Sequence, residues 1–244
     1  MAQRRHDNPT AATLEEIEHL GDRVVGWVGR NPRPVLAALA AILLVAGTWG
    51  GVAQYRRSRA AQATTALEDT RSAYLAAMGA APTAGEVPEP ANPETARRIR
   101  AEFARRFGGV AADHGGTPAA PLALLEAGRL QLELGEREAA LAAWRQAAVT
   151  AEPALRAFLW VRIAQAEEDA GRWAEAAEGH ARAGDTAAYP LRYAALGDAA
   201  RCWAEAGERE KAVALYKRIR AESPQTRLPE HLAARLRELE ASLQ

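Results

Sequence analysis

The sequence predicts an all-α protein: a single N-terminal transmembrane helix followed by an α-solenoid of helical hairpins. Two observations carry this. Gly135, Ala140, Trp144 and Ala147 recur 36 residues on as Gly171, Ala176, His180 and Ala183, then again as Gly207, Ala212, Tyr216 and Ile219. A fixed period in the thirties marks stacked helical hairpins. Upstream, Val35 to Ala53 is a run of 19 residues without a charge. A bilayer core about 30 Å thick needs about 20 apolar helical residues, so the run suits one span.

The elements follow in order. In the N-terminal segment (residues 1–33), Thr13 and Glu16 form a capping box for a helix reaching about Gly29. Leu14, Ile17, Leu20, Val24 and Trp27 recur at helical spacing, giving an apolar face for a membrane surface or a partner. The span is placed at 34–54, with Trp49 and Tyr55 at an interface and Arg56, Arg57 and Arg59 as its stop. Gly51-Val52-Ala53 would suit a signal peptidase, but the 34 mostly polar residues before the run favour an uncleaved anchor. Gly47 and Gly51 have a spacing that can pair two such helices into a weak homodimer. Arg23, Arg30 and Arg33 on one side nearly balance Arg56, Arg57, Arg59 and Arg71 on the other, so charge leaves orientation open.

Residues 55–118 are expected to hold a degenerate leading hairpin with loops. Its first helix continues from Gln54 to Met78, and Leu67, Tyr74, Leu75 and Met78 give it a packing face. Ala80 to Ala91 is a flexible insertion. Asn92-Pro93-Glu94 then starts a helix over 94–107, with an N-cap, a first-turn Pro and an acid at the positive dipole end. Ile99, Phe103 and Phe107 share one of its faces, and Gly108 to Pro118 reads as a loop. Three repeats fill 119–224, each with Gly at a tight turn, a small residue five positions later and a large one filling the gap between hairpins. Leu232, Leu236, Leu239 and Leu243 make residues 225–244 a C-terminal capping helix.

This pattern resembles the tetratricopeptide repeat. The small helix-A residue of that family is matched by Gly128, Ala164 and Ala200, and its closing Pro by Pro153, Pro190 and Pro224. Pro153 and Pro190 fall one and two residues late, and His180 departs from the usual large B-helix residue. Family geometry implies a protein-binding groove lined by helix A: Leu122, Leu125, Arg129 and Leu132, then Phe158, Val161, Gln165 and Glu168, then Ala194, Arg201 and Glu205. Five of these are large apolar side chains, suited to apolar segments of partner proteins.

The sequence carries few signs of catalytic or ligand-binding chemistry. Formal net charge is zero, which implies no bulk attraction to nucleic acid. His6, His19, His114, His180 and His231 are scattered, so no metal-ligand motif appears, and no cofactor fingerprint or catalytic motif implies an enzyme. Cys202, the only cysteine, falls on a helix A and reads as a buried structural thiol. Glu167, Glu168 and Asp169 read as a solvated acidic end of helix A.

The layout of anchor, continuing helix, degenerate hairpin and repeats resembles bacterial inner-membrane proteins with a periplasmic tetratricopeptide-like domain, ancillary subunits of the Sec translocon. That resemblance implies a C-terminal domain in the periplasm. It also implies translocon subunits, periplasmic chaperones or unfolded clients as partners.

Overall fold

A computed structural model describes residues 32–80 and 87–242. The expected helix from Thr13 to Gly29 lies outside them, as does Leu243. Every regular element among the described residues is an α-helix: α1 (Pro32–Ala77), α2 (Pro93–Asp113), α3 (Ala119–Glu133), α4 (Arg137–Thr150), α5 (Pro153–Glu168), α6 (Trp173–Gly184), α7 (Arg192–Glu205), α8 (Arg209–Glu222) and α9 (Glu230–Ser242). The chain divides into two units, Met1–Arg57 and Ser58–Gln244.

In the first unit the described chain is the N-terminal part of α1. Leu36, Leu43, Leu44, Val45, Trp49 and Val52 are all exposed there. The Thr48 hydroxyl donates back to the Leu44 and Val45 carbonyls at 2.9 and 3.0 Å, as such side chains do inside helices. Among the described residues no helix is long and apolar enough to cross a membrane. The side chains of Val35, Leu39 and Ile42, in the expected span, lie outside the described set. The structure thus does not establish the transmembrane helix.

The second unit is a chain of antiparallel neighbours, α2 through α9, each packed on the next. Tyr74 of α1 meets Phe103 of α2 edge-on, with ring centroids 5.4 Å apart. Leu67, Met78 and Phe107 join the same core as the first repeat. Asn92 caps α2 by accepting hydrogen bonds from the Glu94 and Thr95 amides at 2.9 and 3.4 Å. One expectation fails here: α2 runs through Gly108 and Gly109 to Asp113. Two helical glycines cost about 1 kcal/mol each, but buried Phe107 and Ala111, four residues apart, carry the apolar face across them.

The three hairpins are α3–α4, α5–α6 and α7–α8. Their turns place Gly135, Gly171 and Gly207 at φ +83°, +72° and +82°, where a Cβ would be strained. The small helix-A residue has a direct steric reason in the first repeat: a Cβ on Gly128 would lie 2.6 Å from Trp144 Cδ1. Trp144 itself is fully buried and donates its indole N–H to the Leu125 carbonyl at 3.0 Å.

A second periodic device joins the repeats. Arg156 donates to the Ala148 and Ala151 carbonyls at 3.0 and 2.9 Å, closing the end of α4. Arg192, 36 residues later, donates to the Gly184 carbonyl at the end of α6, at 3.2 Å. Each supplies donors to carbonyls that a helix leaves unpaired. At the far end Leu232 and Leu236 are buried against Ala200, Ala212 and Tyr216, and Leu239 packs beside them, so α9 covers the last repeat.

Candidate functional site

The side chains expected to line a groove stand in register on the A helices. Leu122 and Phe158, related by the repeat offset, are 39% and 41% exposed. Ala194 is exposed at the third equivalent position and Val161 is half-buried. These define one side of the A-helix surface.

The first repeat is not free along its length. Leu125 and Leu132 pack against the core that includes the leading hairpin. Arg129 lies over the Tyr74 ring at 5.6 Å and pairs with Glu126 and Glu133 at 3.0 and 2.6 Å. Glu133 is also held by Arg100 of α2 at 2.7 Å, and Glu126 by Arg71 of α1 at 3.4 Å. Arg129 is thus committed to an internal network that joins Glu126 and Glu133 of its own helix to Arg71, Tyr74 and Arg100 of the leading hairpin. Gln165, by contrast, is exposed and accepts from Arg162 at 3.1 Å.

The end of α5 corrects the reading of Glu167 and Glu168 as solvated, while Asp169 is exposed. Glu167 is 2% exposed, clasped by Arg145 of α4 at 2.8 Å and by Arg172, which also reaches Glu138 at 3.1 Å. Glu168 faces the other way. Its Oε1 lies 2.6 Å from His180 Nε2 and its Oε2 accepts from Arg201 at 2.7 Å. Burial raises the Glu168 carboxyl, but His180 and Arg201 outweigh it and hold the group at about 2. Arg201 also stands 3.7 Å from Asp198.

Cys202 is fully buried beside this cluster, as expected of a structural thiol. Burial, then the nearby Glu168 carboxylate, pushes the thiol up to about 12. His180, 2% exposed, fills the large B-helix position, and its Nδ1 has no partner among the described residues. Glu205, the last expected groove residue, is exposed and bound by Arg235 of the capping helix. That partner holds its carboxyl below the usual range.

The Glu168–His180–Cys202 grouping was not legible as a motif, because its members are 12 and 22 residues apart and come from three helices. Only the repeat offset, which places all three near one hairpin junction, signals it.

Glycine at each turn, a small residue on helix A against a large one on helix B, and a covering terminal helix occur together in this stack. The repeat fold is TPR-like. Two solved structures are similar to part of this chain, both of the nearly identical TPR-like repeats of a Podosopora anserina protein described as a putative kinesin light chain, the second being a point variant of it. Each is 19% identical and covers 59% of this chain, with 81% and 80% of its own length matched and TM-scores of 0.45 and 0.44. No protein-family model and no curated protein matches the sequence.

Proposed function

We propose that this chain is a membrane-anchored adaptor that binds other proteins through the A-helix surface of its second and third repeats. TPR-like repeats are protein-interaction scaffolds, and the observation that carries the site is the exposed aromatic Phe158. A large apolar side chain aligned with Leu122 and Val161 on one surface is suited to an apolar segment of a partner. The binding surface is centred on Phe158, because the leading hairpin already occupies Leu125, Arg129 and Leu132 and leaves only Leu122 exposed among the groove residues expected in the first repeat.

The anchor is residues 35–53. Their lack of charge, the exposure of Leu43, Leu44, Val45 and Trp49, and the internally satisfied Thr48 hydroxyl support a lipid environment. The layout favours a repeat domain in the periplasm, working beside the Sec translocon on emerging clients or with chaperones.

Two measurements test this. Alkaline phosphatase fused after Gln244 should be active, and a silent phosphatase with a bright cytoplasmic reporter overturns the periplasmic placement. Co-purification should return translocon subunits from the wild-type chain and fewer clients from Phe158→Glu. Client capture undiminished by Phe158→Glu, with the fold intact, removes the groove assignment. Other stable partners in place of translocon subunits would make the chain a scaffold for a different complex.

A further inference from the structure

We propose that Glu168, His180 and Cys202 form a binding site for a divalent transition metal of the zinc class, set between α5, α6 and α7. The three offer a carboxylate oxygen, a ring nitrogen and a thiol sulfur, all within 4.8 Å of one another. They come from three helices, so repeat stacking brings them together and no local loop does.

The chemistry selects the metal. Sulfur and imidazole favour zinc, cobalt or copper over magnesium and calcium, which want oxygen. Bonds of about 2.0–2.3 Å in a tetrahedral site put ligand atoms about 3.3–3.6 Å apart. Glu168 and His180 therefore separate slightly from 2.6 Å and Cys202 closes in, movements within reach of side-chain rotation. The Glu168 side chain is 18% exposed, which leaves a narrow solvent side where water can complete the coordination.

One arrangement beyond proximity points to a ligand: the almost fully buried His180 turns its Nε2 to Glu168 Oε1, so the ring nitrogen and the carboxylate already converge on one point. Arg201 donates to Glu168 Oε2 and leaves Oε1 turned toward the imidazole. That is the arrangement of an outer partner orienting a ligating carboxylate. The positive charge of Arg201 opposes the metal, and the Glu168 carboxylate and a Cys202 thiolate offset it. Metal binding releases the thiol proton to solvent. A bound ion would cross-link the second repeat, which supplies Glu168 and His180, to the third, which supplies Cys202.

The test uses the full chain in mild detergent, stripped of metal and kept reduced, titrated with cobalt(II) and then zinc(II). The expected result is a thiolate-to-cobalt charge-transfer band that saturates at a single equivalent and is bleached by zinc, with a rise in melting temperature. Cys202→Ala should abolish the band, and His180→Gln should weaken binding by more than about tenfold. No band in the wild-type chain overturns the site. Cobalt binding that keeps its affinity in Cys202→Ala, read by the weaker d–d bands and by zinc competition, overturns it too, because the metal then sits elsewhere. If that variant fails to fold, zinc-edge X-ray absorption of the wild-type chain decides: a coordination shell without sulfur is fatal to the proposal.

Discussion

Trp144 and Gly128 fix each other's size. The indole sits so near the helix-A backbone that a methyl on Gly128 would come within 2.8 Å of its Cε2 as well as meeting Cδ1. In the second repeat, the equivalent pair is Ala164 and His180, a larger residue against a smaller one. Gly128→Ala should therefore destabilise by about 1–3 kcal/mol through overpacking, despite the roughly 1 kcal/mol helix-propensity gain. Adding Trp144→His should recover part of that loss. Urea denaturation of both single variants and the double variant measures the coupling, and strictly additive effects would show the two sites independent.

Arg156 closes the end of α4 with hydrogen bonds to two carbonyls. Arg156→Met keeps the aliphatic stem and removes the donors, so a loss of about 1 kcal/mol is expected. Arg192→Met should behave alike at the end of α6, where the same contact recurs. Thermal denaturation of both variants checks this, and an unchanged midpoint in each would mean that water replaces the guanidinium at no cost.

Glu167 is buried between two arginines that reach solvent, Arg145 being half exposed. Removing the acid leaves cations that hydrate, whereas removing both cations strands a buried carboxylate. Arg145→Met with Arg172→Met should cost about 3–5 kcal/mol, well beyond Glu167→Gln. Comparable losses in chemical denaturation would contradict this asymmetry.

Glu205 has its carboxyl lowered by Arg235, the contact that ties the capping helix to α7. A depressed carboxylate contributes stability above its ordinary value near 4.5 and loses it as pH falls through the lowered one. Docking of α9 should therefore loosen on acidification below about pH 4.5, by no more than about 1 kcal/mol for an exposed pair. Hydrogen exchange at Leu232 and Leu236 as a function of pH should show that step in the wild-type chain and less of it in Arg235→Gln. Equal steps in both chains would exclude the pair as the cause.

The repeats were legible because their packing rule is local. A turn glycine, a small residue and a large one at fixed offsets suffice to place α3 to α8. The leading hairpin was legible from Asn92 and the apolar spacing of Ile99, Phe103 and Phe107. Its cover over Arg129 was not, because Arg71, Tyr74 and Arg100 lie 29 to 58 positions away and follow no repeat offset. The pair of glycines at 108 and 109 looked like a loop, since local propensity cannot register the burial of Ala111 that holds the helix together. Adjacent Glu167 and Glu168 looked alike in the sequence, yet helical rotation sends one to α4 and the other to α7. The arginines at 156 and 192 did carry a signal, the common offset itself.

The interior is built mainly from alanine: Ala123, Ala127, Ala140, Ala147, Ala164, Ala176, Ala183, Ala199, Ala200 and Ala212 are all buried. Where methyl groups face each other there is little left to trim, so cavity-forming changes fall on the larger buried side chains such as Trp144, Leu130 and Leu159. Any enlargement, however, pushes two closely spaced helices apart. At these alanine positions the constraint is thus chiefly against added side-chain volume.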